Sequence, residues 1–190
     1  AEKKGLEFTQ VILIKSSKSG HCEERVRSLA ASEAWRNEAI CFAHFWRLLK
    51  ETARRDKIRL HSKKYYPLML SISGAQLLIV SYQNQMLAGG IFIGFGDTFT
   101  YVHGASANEH RDLMAPYFLH WRAIQFAKQN GYRYYDFGGV NPDDFQDFDF
   151  KASWAGITRF KRGFGGEIFS FAGAFETPFQ PRVYKLFQQI

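Results

Sequence analysis

The chain has 190 residues, 46% of them hydrophobic and 17% aromatic, chiefly through 19 Phe, and it carries a formal net charge of +7. Such a length suits one domain with room for a sizeable core. No run of about 18 uncharged apolar residues occurs, which excludes a bilayer-spanning helix, and the two cysteines, Cys22 and Cys41, stand in no metal or redox spacing, so a reducing compartment is expected. The opening Ala1-Glu2-Lys3-Lys4 has no apolar core behind it, so no signal peptide is expected, and the absence of an initiator Met suits a fragment.

In chain order, Leu6 to Lys15 alternates as a strand does. Residues 23–35 and 41–55 read as helices, the second with Phe42, Phe45, Trp46 and Leu49 at helical spacing. Ser62 is placed to cap a short helix opening with Lys63, Lys64 and Tyr65, which tolerates Pro67 in its early turns. Gln76 to Tyr82 and Met86 to Phe95 read as buried strands joined by a tight turn at Gln83-Asn84-Gln85, and Thr98 to His103 as a third after Gly96-Asp97. Gly89-Gly90 inside a strand predicts a bulge that splays the sheet.

Asp112 is expected to cap a long helix with Tyr117, Trp121, Ile124 and Ala127 as its core stripe and Gly131 as its stop. Tyr132 to Phe137 returns as a strand, and the four Asp of 141–149 read as a loop without calcium-loop spacing. Gly156 to Arg162 is expected as a short helix or turn, followed by a strand over Glu167 to Phe171 and a terminal helix from Pro181. Hairpin-rich strands with a long helix crossing to another strand make α/β or α+β the fold class.

Positive charge is clustered. Between Phe42 and Tyr66 eight Lys or Arg face only Glu51 and Asp56, and from Lys151 to Gly166 there are four cations and no acid. Such a face suits nucleic acid, a sugar-nucleotide pyrophosphate or an anionic membrane surface, or it is an ordinary solvated helix face. His110-Arg111-Asp112-Leu113 and Asp136-Phe137-Gly138 imitate protein-kinase signatures, but Tyr117 stands where a kinase needs Asn and Phe99 where the glycine loop needs its third glycine. His44, His103, His110 and His120 lie far apart in sequence and propose no metal site.

Two segments hold the most chemical information: Tyr134-Tyr135-Asp136-Phe137-Gly138-Gly139 and Arg159-Phe160-Lys161-Arg162-Gly163-Phe164-Gly165-Gly166. A flat ring can stack on a nucleobase, the neighbouring ammonium can meet an anion, and glycines let a backbone approach a ligand. By itself Phe160-Lys161 reads first as a core ring beside a surface Lys, and Asp136 as a turn carboxylate before a general base, while Arg159 and Arg162 read equally as phosphate contacts or solvated side chains.

Together these segments resemble the second half of the Fem-type peptidyltransferases, tRNA-dependent enzymes that add amino acids to the stem peptide of peptidoglycan precursors. The likeness also takes in Ala1-Glu2-Lys3-Lys4-Gly5-Leu6, His61-Ser62-Lys63-Lys64-Tyr65-Tyr66, Tyr101-Val102-His103-Gly104-Ala105-Ser106 and Pro181-Arg182-Val183-Tyr184-Lys185-Leu186. It implies an acyl-CoA N-acyltransferase (GNAT)-like domain over 1–175, with a mixed, mostly antiparallel sheet flanked by helices. Residues 176–190 would then form a C-terminal helix that packs on a first domain absent from this chain.

The same resemblance implies that Phe160 stacks the terminal adenosine of an aminoacyl-tRNA and Lys161 neutralises the oxyanion of acyl transfer, with Arg159 and Arg162 on tRNA phosphates. Tyr65, Lys64 and His61, which stands where the family carries arginine, together with Tyr101, would contact a UDP-linked muramyl pentapeptide or a lipid-linked precursor. From its own residues Tyr101 reads first as a strand tyrosine packed in the core. No cofactor or metal is implied, the location implied is cytoplasmic, and a peripheral contact with the inner membrane face goes with the lipid-linked acceptor. Acetyl-CoA fits the sequence poorly: Asn108-Glu109-His110-Arg111-Asp112, where related acyltransferases place a phosphate loop, has no glycine and two acids. The alternatives are an N-acyltransferase with another acyl donor and a non-enzymatic RNA- or anion-binding domain of the same fold.

Overall fold

A computed structural model describes residues 5–11, 38–141, 153–173, 177–180 and 184–185. Five strands form one sheet in the order β1 (Glu7–Val11), β2 (Ala75–Tyr82), β3 (Gln85–Phe95), β4 (Thr98–Ser106) and β5 (Tyr134–Asp136). The first four pair antiparallel, while β5 lies parallel to β4. That parallel return needs a crossover, and α3 (Ala115–Gln129) supplies it. The other helices are α1 (Glu38–Asp56), α2 (Tyr65–Leu70) and α4 (Ser153–Arg162).

Neighbouring strand residues point to opposite faces, so β3 shows which helix covers which side. A Cβ on Gly89 would meet Phe45 of α1, whereas one on Gly90 would meet Phe92 and Tyr101, whose rings lie against His120 of α3. α2 joins the α1 side through the Trp46–Tyr66 ring contact, and α4 joins the α3 side through Phe160 and Tyr117. With both faces covered, β2 is an almost unbroken buried run, Leu77 to Val80. Phe45, Leu48 and Leu49 fill the core from one side, and Phe118, Leu119, Ala123 and Ala127 from the other.

Several expectations are met. The β2–β3 turn places Gln83 and Asn84 at φ 49° and 61°, a two-residue geometry matched to hairpin twist. Gly131, at φ +82°, follows α3 as its stop. Others are corrected. The glycines of β3 cause no bulge, because both keep regular register; the irregularities fall at Leu87 against β2 and between Ile91 and Phe92 against β4, and the glycines instead clear room for the rings of Phe45, Phe92 and Tyr101.

Ser62 does not cap α2. Lys64 is the cap residue, no side chain bonds there, and Ser62 accepts the Tyr65 N–H through its backbone carbonyl, 3.0 Å away. Nor does Asp112 cap α3: Met114, left-handed at φ 56°, separates the helix from a 3-10 turn at Arg111–Leu113 that contains Asp112. The buried face of α3 carries Ala115, Phe118, Leu119, His120, Ala123 and Ala127, and Tyr117 and Trp121 lie exposed on its flank. The strand expected over Glu167 to Phe171 is absent. Gly165 and Gly166, at φ +74° and +99°, turn the chain away after α4, and residues 165–173 run exposed without pairing to any described strand. The helix expected at 23–35, the loop at 142–149 and most of the terminal helix lie outside the described residues.

Candidate active site

The irregularity in β4 organises the site. Tyr101 pairs with Phe92 and His103 with Ile91, leaving Val102 as the extra residue. Phe92 and Ile91 point to opposite faces, so Tyr101 and His103, two residues apart, do the same. One strand thereby feeds two clusters.

On the α3–α4 face, β5 ends at Asp136, paired with Thr100, while β4 continues to Ser106. The chain leaves β5 through Phe137-Gly138-Gly139. The Asp136 carboxylate accepts the Gly138 N–H at 2.7 Å and so serves the turn. α4 is fastened to this segment by two side chains one turn apart: Asn141 N–H donates to Thr158 Oγ1 at 3.0 Å, and Lys161 Nζ donates to the Gly139 carbonyl at 2.6 Å. Three cations, Arg159, Lys161 and Arg162, sit in the last turn, where the helix dipole favours them.

Lys161 is only 8% exposed. Burial lowers the pKa of its ammonium, and the charge of Asp136 partly offsets that. An ammonium has three N–H bonds, so two remain for a ligand among the described residues. Phe160 lies half-buried, edge-on to Tyr117 at 4.6 Å and to His120 at 5.4 Å between ring centroids.

His120 is the hub of this face and was not singled out by sequence as part of a site. It is 1% exposed, its Nδ1 shares a 2.7 Å hydrogen bond with the Tyr135 hydroxyl, and the rings of Tyr101 and Phe137 lie 4.5 and 5.2 Å away. Burial, and then the charge of Lys161, push its pKa down to about 3, so the imidazole is neutral and Lys161 is the cation here. Burial pushes the Tyr101 phenol up to about 12 and raises that of Tyr135 as well. Tyr101 fits because Gly90 and Gly104 have no side chain; a Cβ on Gly104 would strike its hydroxyl.

On the α1–α2 face, His61 stacks on Tyr65 at 4.2 Å and 28°. His103 closes the group from β4, with ring centroids 5.8 Å from Tyr65, 5.2 Å from Tyr66 and 6.1 Å from His61. Burial, then the neighbouring His61, lowers the His103 pKa, and its Nε2 is buried without a hydrogen-bond partner. The structure therefore brings His61 and Tyr65 together, leaves Lys64 exposed at the start of α2, and places Tyr101 on the other face. The β4 residue beside His61 and Tyr65 is His103. The only sequence signal for it was its place in Tyr101-Val102-His103-Gly104.

Asn108 and its neighbours leave little for a pyrophosphate. The Asn108 N–H donates to Glu51 at 2.8 Å, and those of Leu113 and Met114 close the 3-10 turn on His110 and Arg111. Arg55, one of the clustered cations, is structural: it pairs with Asp56 and donates to the Ser106 carbonyl and Asn108 Oδ1, tying α1 to the end of β4. Among the described residues no three His, Cys, Asp or Glu gather as a metal would require, and no helix is long and apolar enough to cross a membrane. Cys41 is buried.

This arrangement, an antiparallel meander whose fourth strand diverges from a parallel fifth, is the N-acyltransferase fold. A soil-metagenome aminoglycoside acetyltransferase, meta-AAC0020 in complex with sisomicin, matches with a TM-score of 0.58 at 10% identity, over 95% of this chain and all (100%) of that one. A ribosomal-protein-alanine N-acetyltransferase from Brucella melitensis biovar Abortus 2308 matches with a TM-score of 0.55 at 11% identity, over 90% of this chain and 98% of that one. The FemAB family model matches residues 71–190, and the chain belongs to that family. FemX has a TM-score of 0.55 at 18% identity over 66% of this chain and 48% of its own. Among curated relatives, the aminoacyltransferase FemB of Staphylococcus epidermidis is 33% identical over 104 residues, which is 55% of this chain and 24% of that protein. A lipid II:glycine glycyltransferase of Staphylococcus haemolyticus is 29% identical over the same shares. The match thus spans about a quarter of each relative's length.

Proposed function

We propose that this chain is the second acyltransferase-like domain of an enzyme that moves an aminoacyl group from tRNA to the side-chain amine of a peptidoglycan stem peptide. The observation that carries the reading is Lys161: a buried cation, held by the Gly139 carbonyl with N–H bonds to spare, beside the half-buried ring of Phe160. Attack of an amine on an aminoacyl ester passes through a tetrahedral oxyanion, and a preset cation in a water-poor site lowers that barrier. Phe160 stacks the terminal adenosine, with Arg159 and Arg162 on phosphates. His61, Tyr65 and His103, with Lys64 at their edge, receive the UDP-linked or lipid-linked precursor, and Tyr101 supports the donor side.

Residues 1–175 form this domain, and 176–190 dock on a preceding domain of the parent protein. The enzyme works in the cytoplasm and touches the inner membrane face when its acceptor is lipid-linked. The Asn108 N–H, occupied by Glu51, favours this donor over a coenzyme A thioester. The test is donor competition with the full-length parent: aminoacyl-tRNA and acetyl-CoA are offered with a muramyl pentapeptide acceptor. Transfer from tRNA alone supports the reading, and transfer from acetyl-CoA overturns it.

A further inference from the structure

We propose that Tyr117, backed by Phe164 and followed by Trp121, is a stacking platform for nucleobases of the donor's unpaired 3′ end, outside the position of Phe160. This rests on the tRNA donor proposed above and extends its contact surface. Tyr117 lies in the first turn of α3 and is 37% exposed; Trp121 is 55% exposed. Four residues apart on a helix, they share one face. Their outward position is not a leftover of core packing, because the inward face of α3 is already filled by Phe118, Leu119, His120 and Ala123.

Tyr117 is also held in place. Its ring lies nearly parallel to Phe164, 5.4 Å away at 22°, and edge-on to Phe160 at 4.6 Å and 72°. Phe160 and Phe164 in turn lean on buried His120, at 5.4 and 5.6 Å. The result is a three-ring block with a fixed foundation and Tyr117 as its most accessible ring. A ring fixed in this way loses little rotamer freedom when a base stacks on it.

The charge beside it has the sign a nucleic acid needs: α4 presents Arg159 and Arg162 in its last turn, and none of its residues is acidic. Aromatic rings with cations alongside are how proteins hold single-stranded nucleic acid whatever its sequence, each stacked base resting on a ring face. The block is continuous with Phe160 and Lys161, so a strand whose last nucleotide reaches Lys161 would run its preceding bases over Tyr117 towards Trp121.

The experiment is equilibrium binding of uncharged tRNA to the full-length parent, with melting temperatures measured in parallel. Tyr117→Leu keeps apolar packing and removes the stacking face; about 10-fold weaker binding is expected, with Trp121→Leu smaller, both without change in the salt dependence. Arg159→Gln should instead flatten the salt dependence. Tyr117→Trp should restore affinity and report bound RNA by quenched fluorescence. Equal tRNA affinity in the parent, Tyr117→Leu and Trp121→Leu would overturn the proposal while leaving the donor reading intact. So would a melting temperature that drops in Tyr117→Leu with affinity unchanged, because the face would then pack against the rest of the parent chain. A parent that binds no tRNA contradicts the donor reading and this platform together.

Discussion

The two faces of β4 are built on opposite terms. Towards α3 and α4 the strand offers Tyr101 to a sealed cluster in which His120 and Tyr135 satisfy each other at 2.7 Å and Lys161 is the buried cation. Towards α1 and α2 it offers His103 to an open box with His61 and Tyr65, where one imidazole nitrogen is buried without a partner. On the proposed reading the first face holds a preset cation for charge that develops in the reaction. The second has hydrogen-bonding capacity that a ligand would complete. One extra residue in a strand separates the two, and on the proposed reading it divides the donor side from the acceptor side.

The sharpest way to break this comparison is to remove the cation. In the full-length parent, Lys161→Ala should lower kcat by about 10²–10³-fold, the usual cost of one oxyanion-stabilising group. His103→Ala should act on the acceptor KM and leave kcat nearly unchanged, and steady-state kinetics with both substrates varied will separate the two.

Next in size is the sealed cluster itself. His120→Leu leaves the Tyr135 hydroxyl without the partner it has here, so unfolding by urea should show a loss of about 1–3 kcal/mol. The same histidine gives a pH signature. Its folded pKa, about 3, lies below the unfolded value of 6.5, so the unfolded chain binds the extra proton and stability falls as pH drops from about 6.5 towards 3. The limiting slope from this one group is about 1.4 kcal/mol per pH unit. His120→Gln should flatten that part of the stability–pH curve while sparing stability above pH 7. The smallest effect belongs to the open box: His61→Ala removes one ring stack, and the acceptor KM should rise about 3–10-fold.

How much of this could be read from the sequence follows from which signals are local. Strand alternation, the turn at Gln83-Asn84 and the stop at Gly131 depend on neighbours in sequence, and they appear as expected. The membership of each cluster does not. Tyr101 and His103 look like partners on one face until the extra residue at Val102 rephases them, and nothing in Tyr101-Val102-His103 announces a bulge. On α3, Tyr117 and Trp121 are expected in the core stripe of the helix. The buried face instead carries Phe118, Leu119, His120 and three alanines, above a sheet surface that already holds Phe92, Phe99 and Tyr101. His120 was invisible for a related reason: a buried imidazole requires a tertiary partner, and its partner, Tyr135, lies across the crossover on the next strand. Phe160-Lys161 was legible as a motif, whereas the burial of Lys161 against Gly139 was not.

The most direct measurement is the single-turnover rate of aminoacyl transfer from prebound tRNA, in the full-length parent and in Lys161→Met, which keeps the length of the side chain and removes its charge. The account predicts a rate about 10²-fold or more slower in the variant, with tRNA affinity changed little. Equal rates in the two proteins would contradict it.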